Sequence, residues 1–477
     1  MSIRSTAILF SIIFIEGYVV LASELLAIRL LIPFVGSGTE VVAIIISGVL
    51  FPLSVGYYVG GRRFQKEYHR AGTRRKERMS VRKILVRNLL TAMIILSGGL
   101  SYVFLEVFFS VLTVSGVTHH VVQTTIYASL FLVFPTFLLA QTVPLVSNYF
   151  SRHGVSEITG KMVFFSTAGS FLGSIVSTLV LMTTIGVHHT VVLTLGMLVV
   201  LVLILTRRWW DYSNVIALLL LVLLYSMNSK SLMEKLGIVS NNQYNMVTVE
   251  ENVEEGSKTL FINRSPSAKY TPSHTRRFEY LQFLERNFLN HLPKKGTPKH
   301  ILVIGAGGFT FGQEDIFNRY VYVDIDTDLK NVAEEHFLPS PLSPNKEFSH
   351  ASARAFLMRD TRMYDMIFID VFTNRHTIPM EATTKEFLEA VRARLNPQGI
   401  VISNVISSPG YRDRFSVRYK NSFSAVFPAH SRQIISDFNP WKQEKEYHNT
   451  LFLYFDGPFV RDGTVYTDDK NGYFLDK

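Results

Sequence analysis

No cysteine occurs anywhere in the 477 residues. Its absence excludes disulfides, a thiolate metal site and a cysteine nucleophile, and leaves the redox compartment undetermined. Charge is sparse across long stretches of the first 230 residues, where Leu, Val, Ile and Phe dominate. A nucleic-acid recognition motif is also missing, so the net charge of +10 does not argue for that partner. Its placement suggests another origin. Lys and Arg crowd into residues 62–83 (RRFQKEYHRAGTRRKERMSVRK), between two apolar segments, as in a cytoplasmic loop of a membrane protein. A small-residue cleavage site is lacking after the first apolar run, which is long and carries Glu16 and Glu24. It is expected to be a retained helix and not a secretory signal.

What is present in that half is a series of apolar segments, each near the roughly 20 residues needed to cross a bilayer. They fall at residues 6–34, 40–60, 85–112, 121–147, 162–185, 188–206 and 213–228. This predicts a multi-pass protein of the cell (inner) membrane with about seven spans and with membrane lipids as partners. If 62–83 is cytoplasmic, the N-terminus is too. The short loops near 118–120 and 187–189 then face outward, while Arg152, Lys161, Arg207 and Arg208 lie inside. Small residues recur at four-residue spacing (Gly56 and Gly60, Gly169 and Gly173, Ser166, Ser170 and Ser174), which lets helix backbones approach closely. Glu24 and Arg29 are five apart and point to different faces, so each needs a partner on another helix. Two readings follow: a buried ion pair holding the bundle, or a polar passage. Glu106 and Gln141 are expected deep in the third and fourth spans. His119–His120 and His188–His189 fall on one predicted side and read as interfacial polar residues; no metal is expected.

From about residue 231 the chain has the mixed charge of a soluble domain. Residues 147–161 read as a polar loop and 229–240 as a linker. Residues 246–253 and 259–263 alternate like a hairpin with Gly256 in the turn, and 276–292 has helical periodicity. The most informative stretch is 301–326, ILVIGAGGFTFGQEDIFNRYVYVDID. An apolar run ends at Gly305, Gly307 and Gly308, and a second ends at Asp324 and Asp326. This predicts strand, tight turn, helix and strand, with glycines admitting a nucleoside cofactor and Asp324 accepting hydrogen bonds from its ribose. Asp326 reads as structural, such as a helix cap. Residues 366–370 form another buried strand ending in Asp370, 384–395 a helix, and 400–404 a further strand. Strands alternating with helices imply a parallel, doubly wound sheet. The expected organisation is a multi-span α-helical membrane domain over 1–230, a linker and small β lobe over 231–265, and an α/β domain over 266–477.

Several segments together resemble the spermidine synthase (polyamine aminopropyltransferase) family, specifically its membrane-fused branch. They are LASELLAIRLLIPFVGSG (21–38), FPTFLLAQTVPLVSNYF (134–150), GKMVFFSTAGSFLGS (160–174), Asn242–Gln243–Tyr244, IGAGGF, VDID, YDMIFIDVF (364–372) and IPMEATTKEFLEAVRARLNPQGIVISN (378–404). The resemblance implies a Rossmann-like, class I S-adenosylmethionine-dependent methyltransferase-like sheet. It also implies transfer of an aminopropyl or other alkyl group from S-adenosylmethionine, or its decarboxylated form, to an amine. By resemblance Gln243, Gly305, Gly307, Gly308, Asp324 and Ser352 contact the cofactor, and Asp370 the reacting centre. Such chemistry needs an amine aligned with a sulfonium carbon and kept neutral.

The pattern departs from the family at several acids. Gly308 or Phe309, Ser352, Thr373 and Arg375 stand where acids are common, and Glu381 replaces a His. Arg375 would repel a polyamine; Asp365, Glu381 or Glu279 are candidates to compensate. Asp365 otherwise reads as a solvated turn residue, and Arg276 and Arg277 as a charged helix face or lid. The acceptor is thus a small-molecule amine or a lipid-borne nucleophile, and a homo-oligomer is compatible with the sequence. Two alternatives stay open: a methyltransferase acting on a membrane or surface substrate, and a non-catalytic, transporter-like or assembly protein. The side of the soluble domain is also open. A seventh span would put it outside, whereas S-adenosyl cofactors are made inside. That span has a short apolar core (215–225), and Trp209, Trp210 and Tyr212 could hold it along the interface instead.

Overall fold

The structure is a computed structural model that describes residues 3–71, 74–147, 149–150, 155–206, 210–271, 278–373, 377–428, 430–435 and 447–457. Arg152, Arg207, Arg208, Trp209, Arg276, Arg277 and Arg375 lie outside the described residues.

The first half is helical. Helices α1 (Ile3–Val35) and α2 (Thr39–Ala71) are followed by α3 (Arg74–Gly99) and α4 (Tyr102–Val114). Next come α5 (His120–Ala128), a π-turn at Ser129–Val133, α6 (Phe134–Ala140) and α7 (Thr142–Ser147). Then α8 (Val155–Ile175) runs through a second π-turn, Val176–Leu181, into α9 (Met182–Thr184), followed by α10 (Gly186–Leu205) and α11 (Tyr212–Met227). Among the described residues, six helices are long and apolar enough to cross a membrane, or seven if the bent α3–α4 pair is one span. The expected third span is therefore broken: α3 and α4 meet at 67°. The break follows Gly98 and Gly99, and the Tyr127 hydroxyl donates to the Gly99 carbonyl at 2.8 Å, meeting the need created when the helix ends. Helix α8 starts inside the stretch read as a polar loop.

The small residues pack as their spacing suggests. A Cβ added at Gly169 or Gly173 would overlap the carbonyls of Phe14 and Tyr18 on α1, and one at Gly56 would meet the Phe137 carbonyl at 2.6 Å. Helices α1 and α8 thus run parallel in close backbone contact. Helix α11 does not lie apart from the bundle. Asn214 at its start bonds Thr206 at the end of α10, and Leu221 packs on Gly196, so α11 runs antiparallel alongside α10.

The soluble half begins with α12 (Lys230–Lys235) and β1 (Ile238–Asn241), where a linker was expected. The lobe is a four-stranded antiparallel sheet in the order β1, β2 (Met246–Asn252), β3 (Ser257–Ile262), β4 (Ser265–Tyr270). It is larger than a hairpin, and a boundary at 265/266 would cut through β4. After α13 (Glu279–Asn287) come β5 (His300–Ile304), β6 (Arg319–Asp324), α14 (Asp328–His336), β7 (Lys346–His350), α15 (Ala353–Arg359) and β8 (Tyr364–Ile369). Then follow α16 (Lys385–Arg392), β9 (Leu395–Ser407), α17 (Arg414–Val426), β10 (His430–Ile435) and β11 (His448–Phe455). The seven strands pair in the order β10-β11-β9-β8-β5-β6-β7. Strands β5 to β9 pair in parallel, whereas β11 lies antiparallel between β9 and β10. This is a mixed, Rossmann-like sheet, not a purely parallel one. Its central strands HILVI and YDMIFI are apolar almost throughout because both faces are covered.

The helix expected after the glycine loop does not form. Residues 305–318 are turns, with positive φ at Gly305, Gly307, Phe309 and Gly312, a backbone that cannot continue a helix. Phe309 and Phe311 turn into the core, against Tyr322 and Phe348 and against Phe368 respectively.

The ionisable residues of the bundle pair differently from expectation. Arg29 meets no carboxylate within ion-pair distance among the described residues. Its guanidinium donates to the Asn242 carbonyl at 2.7 Å and to Asn241 Oδ1 at 2.9 Å, both in the soluble half. Glu106 is not deep in a span; it pairs with Arg264 of the lobe at 2.7 Å. Gln141 is buried beside Asn88. Both oxygens of Glu16, and Oε2 of Glu24, are buried without a hydrogen-bond partner among the described residues.

Candidate functional site

Strands β5, β6 and β7 run to one side of the sheet, and β8 and β9 to the other, so the chain reverses direction between β5 and β8. Ligands of open α/β sheets bind outside the carboxyl ends of strands at such a point. Here those ends carry Gly305, Asp324 and Asp370. The Gly305 amide donates to the Val323 carbonyl at 2.9 Å, and the Asp370 amide to the Ile304 carbonyl at 2.8 Å. Gly305 has φ of 95°, and a Cβ there would overlap the Asp370 carbonyl oxygen. Only glycine lets the two strand ends close together.

Asp324 holds the loop. Its Oδ2 accepts from the Ala306 amide and its Oδ1 from the Asp326 amide, each at 3.0 Å. A carboxylate offers about four lone-pair sites, so both oxygens can still accept from a diol. Burial pushes its pKa up to about 6, against these backbone donors. Asp326 faces away into the lobe. It accepts from Asn242 at 2.7 Å, Asn245 at 2.9 Å and the Asp328 amide at 3.1 Å, which makes it a structural anchor.

Asp370 is the centre of a second group. Tyr280, on α13, donates its hydroxyl to Oδ2 at 2.9 Å, and Asn404, on β9, donates Nδ2 to Oδ1 at 2.9 Å. Enclosure by protein raises the Asp370 carboxyl to about 6, while the two donors pull it down. The phenol of Tyr280 is pushed well above its ordinary value by burial and by the neighbouring Asp370. The amide oxygen of Asn404 is buried and has no hydrogen-bond partner among the described residues. A carboxylate and a free amide carbonyl thus stand together, both able to accept from an N–H donor.

These groups line one cavity of about 760 Å³, within the size range of small-molecule sites. Gln243, Gly305, Gly307, Asp324 and Asp370 all contribute to its wall. Gly308 and Ser352 do not line it. Gly308 packs on Ala268 of β4, and the Ser352 hydroxyl caps α15 by accepting from the Ala355 amide at 3.3 Å. Of the candidate compensating acids only Glu381 reaches the cavity. Asp365 is held at the far end of the sheet by Lys299 and the His300 amide, each at 2.9 Å, and Glu279 lines a smaller side pocket.

The helical bundle supplies part of the wall. Ile32, near the end of α1, and residues 37–40 border the cavity, and Glu40 adds a carboxylate that also meets His120 at 3.0 Å. Arg29 fixes this arrangement by tying α1 to Asn241 and Asn242, and Asn242 in turn bonds Asp326 and Asp328. Asn241 also bonds His188 of α10 at 2.9 Å. Tyr280, Asn404 and Glu40 were not singled out from sequence. Tyr280 and Asn404 are far from Asp370 in the chain and meet it only through the fold; Glu40 sits in the other half altogether.

No family model matches the chain. A polyamine aminopropyltransferase of Vibrio vulnificus is 28% identical over 137 residues, which are 27% of this chain and 45% of that protein. Polyamine aminopropyltransferase 2 of Pseudomonas aeruginosa is 32% identical over 113 residues, 22% of this chain and 32% of that protein. The chain therefore spans less than half the length of these curated relatives. Among solved structures, a probable spermidine synthase from Corynebacterium glutamicum aligns with a TM-score of 0.39 and 23% identity, covering 46% of this chain and 81% of that one.

Proposed function

We propose that the protein is a membrane-integral transferase that binds an S-adenosyl cofactor at Gly305, Gly307 and Asp324. In this reading it transfers an aminopropyl or other alkyl group to an amine held at Asp370. The cofactor supplies an electrophilic carbon next to a sulfonium, with a neutral thioether as leaving group. The residues fit it: the glycine loop leaves room for a nucleoside, Asp324 keeps lone pairs toward the cavity, and Phe309 and Phe311 are turned away from it. The relatives named above are aminopropyltransferases, which supports the same reading.

The carrying observation is the pair of acceptors at Asp370 and Asn404. An amine nucleophile presents N–H donors, and a buried carbonyl without a donor is a cost that such a ligand removes. Asp370 holds the nitrogen in line with the carbon and takes the proton as the new N–C bond forms and the C–S bond breaks, the sulfur keeping the electron pair. Tyr280 and Asn404 hold the carboxylate in place.

The test is calorimetry on the full-length protein with S-adenosylmethionine, its decarboxylated form and methylthioadenosine, followed by product analysis with an amine. Asp370→Asn is expected to keep nucleoside binding and to lower transfer about 10²–10⁴-fold. Absence of binding by all three nucleosides would overturn the proposal. Methylated product alone would favour the methyltransferase alternative.

A further inference from the structure

A second cavity, of about 490 Å³, opens at the end of the bundle away from the nucleotide domain. Its walls come from α3, from the end of α10 and from the start of α11. Three cations line it: Arg82, Lys83 and Arg87. None has an ion pair or a hydrogen bond among the described residues. The acid in the cavity, Asp211, is already engaged, because its Oδ1 accepts from the Ser213 amide at 3.1 Å and caps α11. Ionised, the described lining therefore sets three positive charges against the one negative charge of Asp211, an excess of two.

The lining also changes character along α3. Arg82 and Lys83 stand at its basic end, Arg87 just over one turn further in, and Val86 and Leu90 form an apolar wall. Thr91 lies about 14 Å along the helix axis from Arg82. Trp210, next to Asp211, is 92% exposed, as an aromatic anchor at a headgroup boundary would be. A recess between helices with cations beside an apolar wall matches a phosphate headgroup followed by the first carbons of an acyl chain.

We propose that this cavity binds a phosphate ester anion, the headgroup of an anionic lipid in the leaflet opposite the nucleotide domain. Phosphate is the shared chemistry, and a free phosphate would use the same cations. The site is independent of the transferase reading.

The experiment uses full-length protein in detergent, titrated with phosphatidylglycerol, phosphatidylcholine or inorganic phosphate, with bound lipid counted by native mass spectrometry. Phosphatidylglycerol is expected to bind in preference to phosphatidylcholine. Each cation neutralised, as in Arg82→Gln or Arg87→Gln, is expected to weaken that binding about fivefold. Asp211→Asn keeps the helix cap and removes the opposing charge, so it is expected to strengthen binding; it also guards against variants that merely misfold. Binding of inorganic phosphate that competes with the lipid would confirm the shared chemistry. Saturation by phosphate with no lipid preference would assign the source to free phosphate. Equal binding of the two lipids without any phosphate response, or an Arg82→Gln, Arg87→Gln double variant that retains full phosphatidylglycerol binding, would overturn the proposal.

Discussion

At the scale of single residues, the surroundings of Asp370 oppose one another, which suits the proton transfer proposed for it. Enclosure lifts its carboxyl to about 6 while Tyr280 and Asn404 stabilise the charged form. A base must be ionised to accept a proton, so the proposed transfer rate is expected to rise with pH through about 6 and level off above it. Tyr280→Phe removes a donor to the carboxylate. The rising limb should then move to higher pH by about one pH unit, the equivalent of one hydrogen bond to a charged group; a pH–rate profile reads this directly. Stability moves the other way. The folded chain holds the Asp370 proton more tightly than the unfolded chain, so this group's contribution falls as pH rises from about 4 to about 6. Glu40 carries a further expectation. If the acceptor is a cation, Glu40→Gln should raise its KM about tenfold with little change in kcat, and nucleoside affinity should not move. A neutral acceptor would show no KM effect.

At the scale of elements, the glycine loop and the strand ends were legible in sequence because local chemistry dictates them. Apolar runs 301–304 and 366–369 are short and fit buried strands better than helices, and Gly305 is needed where two backbones meet. The missing helix after Gly308 was not legible, since residues 309–318 contain no proline and only one glycine to forbid it; the fold turns Phe309 and Phe311 inward instead. The ion pair weighed for Glu24 and Arg29 failed for a different reason. Spacing along one helix shows which faces are separate but not which element each face will meet, and Arg29 meets the lobe. The α1–α8 contact is more predictable. Gly173→Leu would drive a side chain into the Tyr18 backbone, and overpacking at such a site costs about 1–3 kcal/mol or more. A lowered melting temperature of the full-length protein, with the same change at Gly160, which faces open space, nearly silent, is the expected outcome.

At the scale of the whole molecule, the bundle has two unlike ends. Residues 37–40, the start of α5 and the start of α10 lie at the end that carries the α/β domain, as the contacts of Glu40, His120 and His188 show. Arg62, Arg82, Lys83 and Lys161 lie at the other end, since each is at the opposite terminus of a helix from those contacts or level with one that is. Because α11 runs back alongside α10, it returns the chain to the domain end. If the bundle spans the bilayer and its basic end is cytoplasmic, as Lys and Arg bias dictates, the α/β domain faces outward. A C-terminal alkaline phosphatase fusion to the full chain should then be active and a green fluorescent protein fusion dark; the reverse pattern would mean that the charge rule does not orient this bundle. The outcome bears on the chemistry. A domain on the outer face can act only on an S-adenosyl ligand supplied there, so an active phosphatase fusion together with strong nucleoside binding would require export of the ligand. The same fusion pattern with no nucleoside binding would leave the bundle, where Glu16 and Oε2 of Glu24 are buried without a hydrogen-bond partner among the described residues, as the place to look for function.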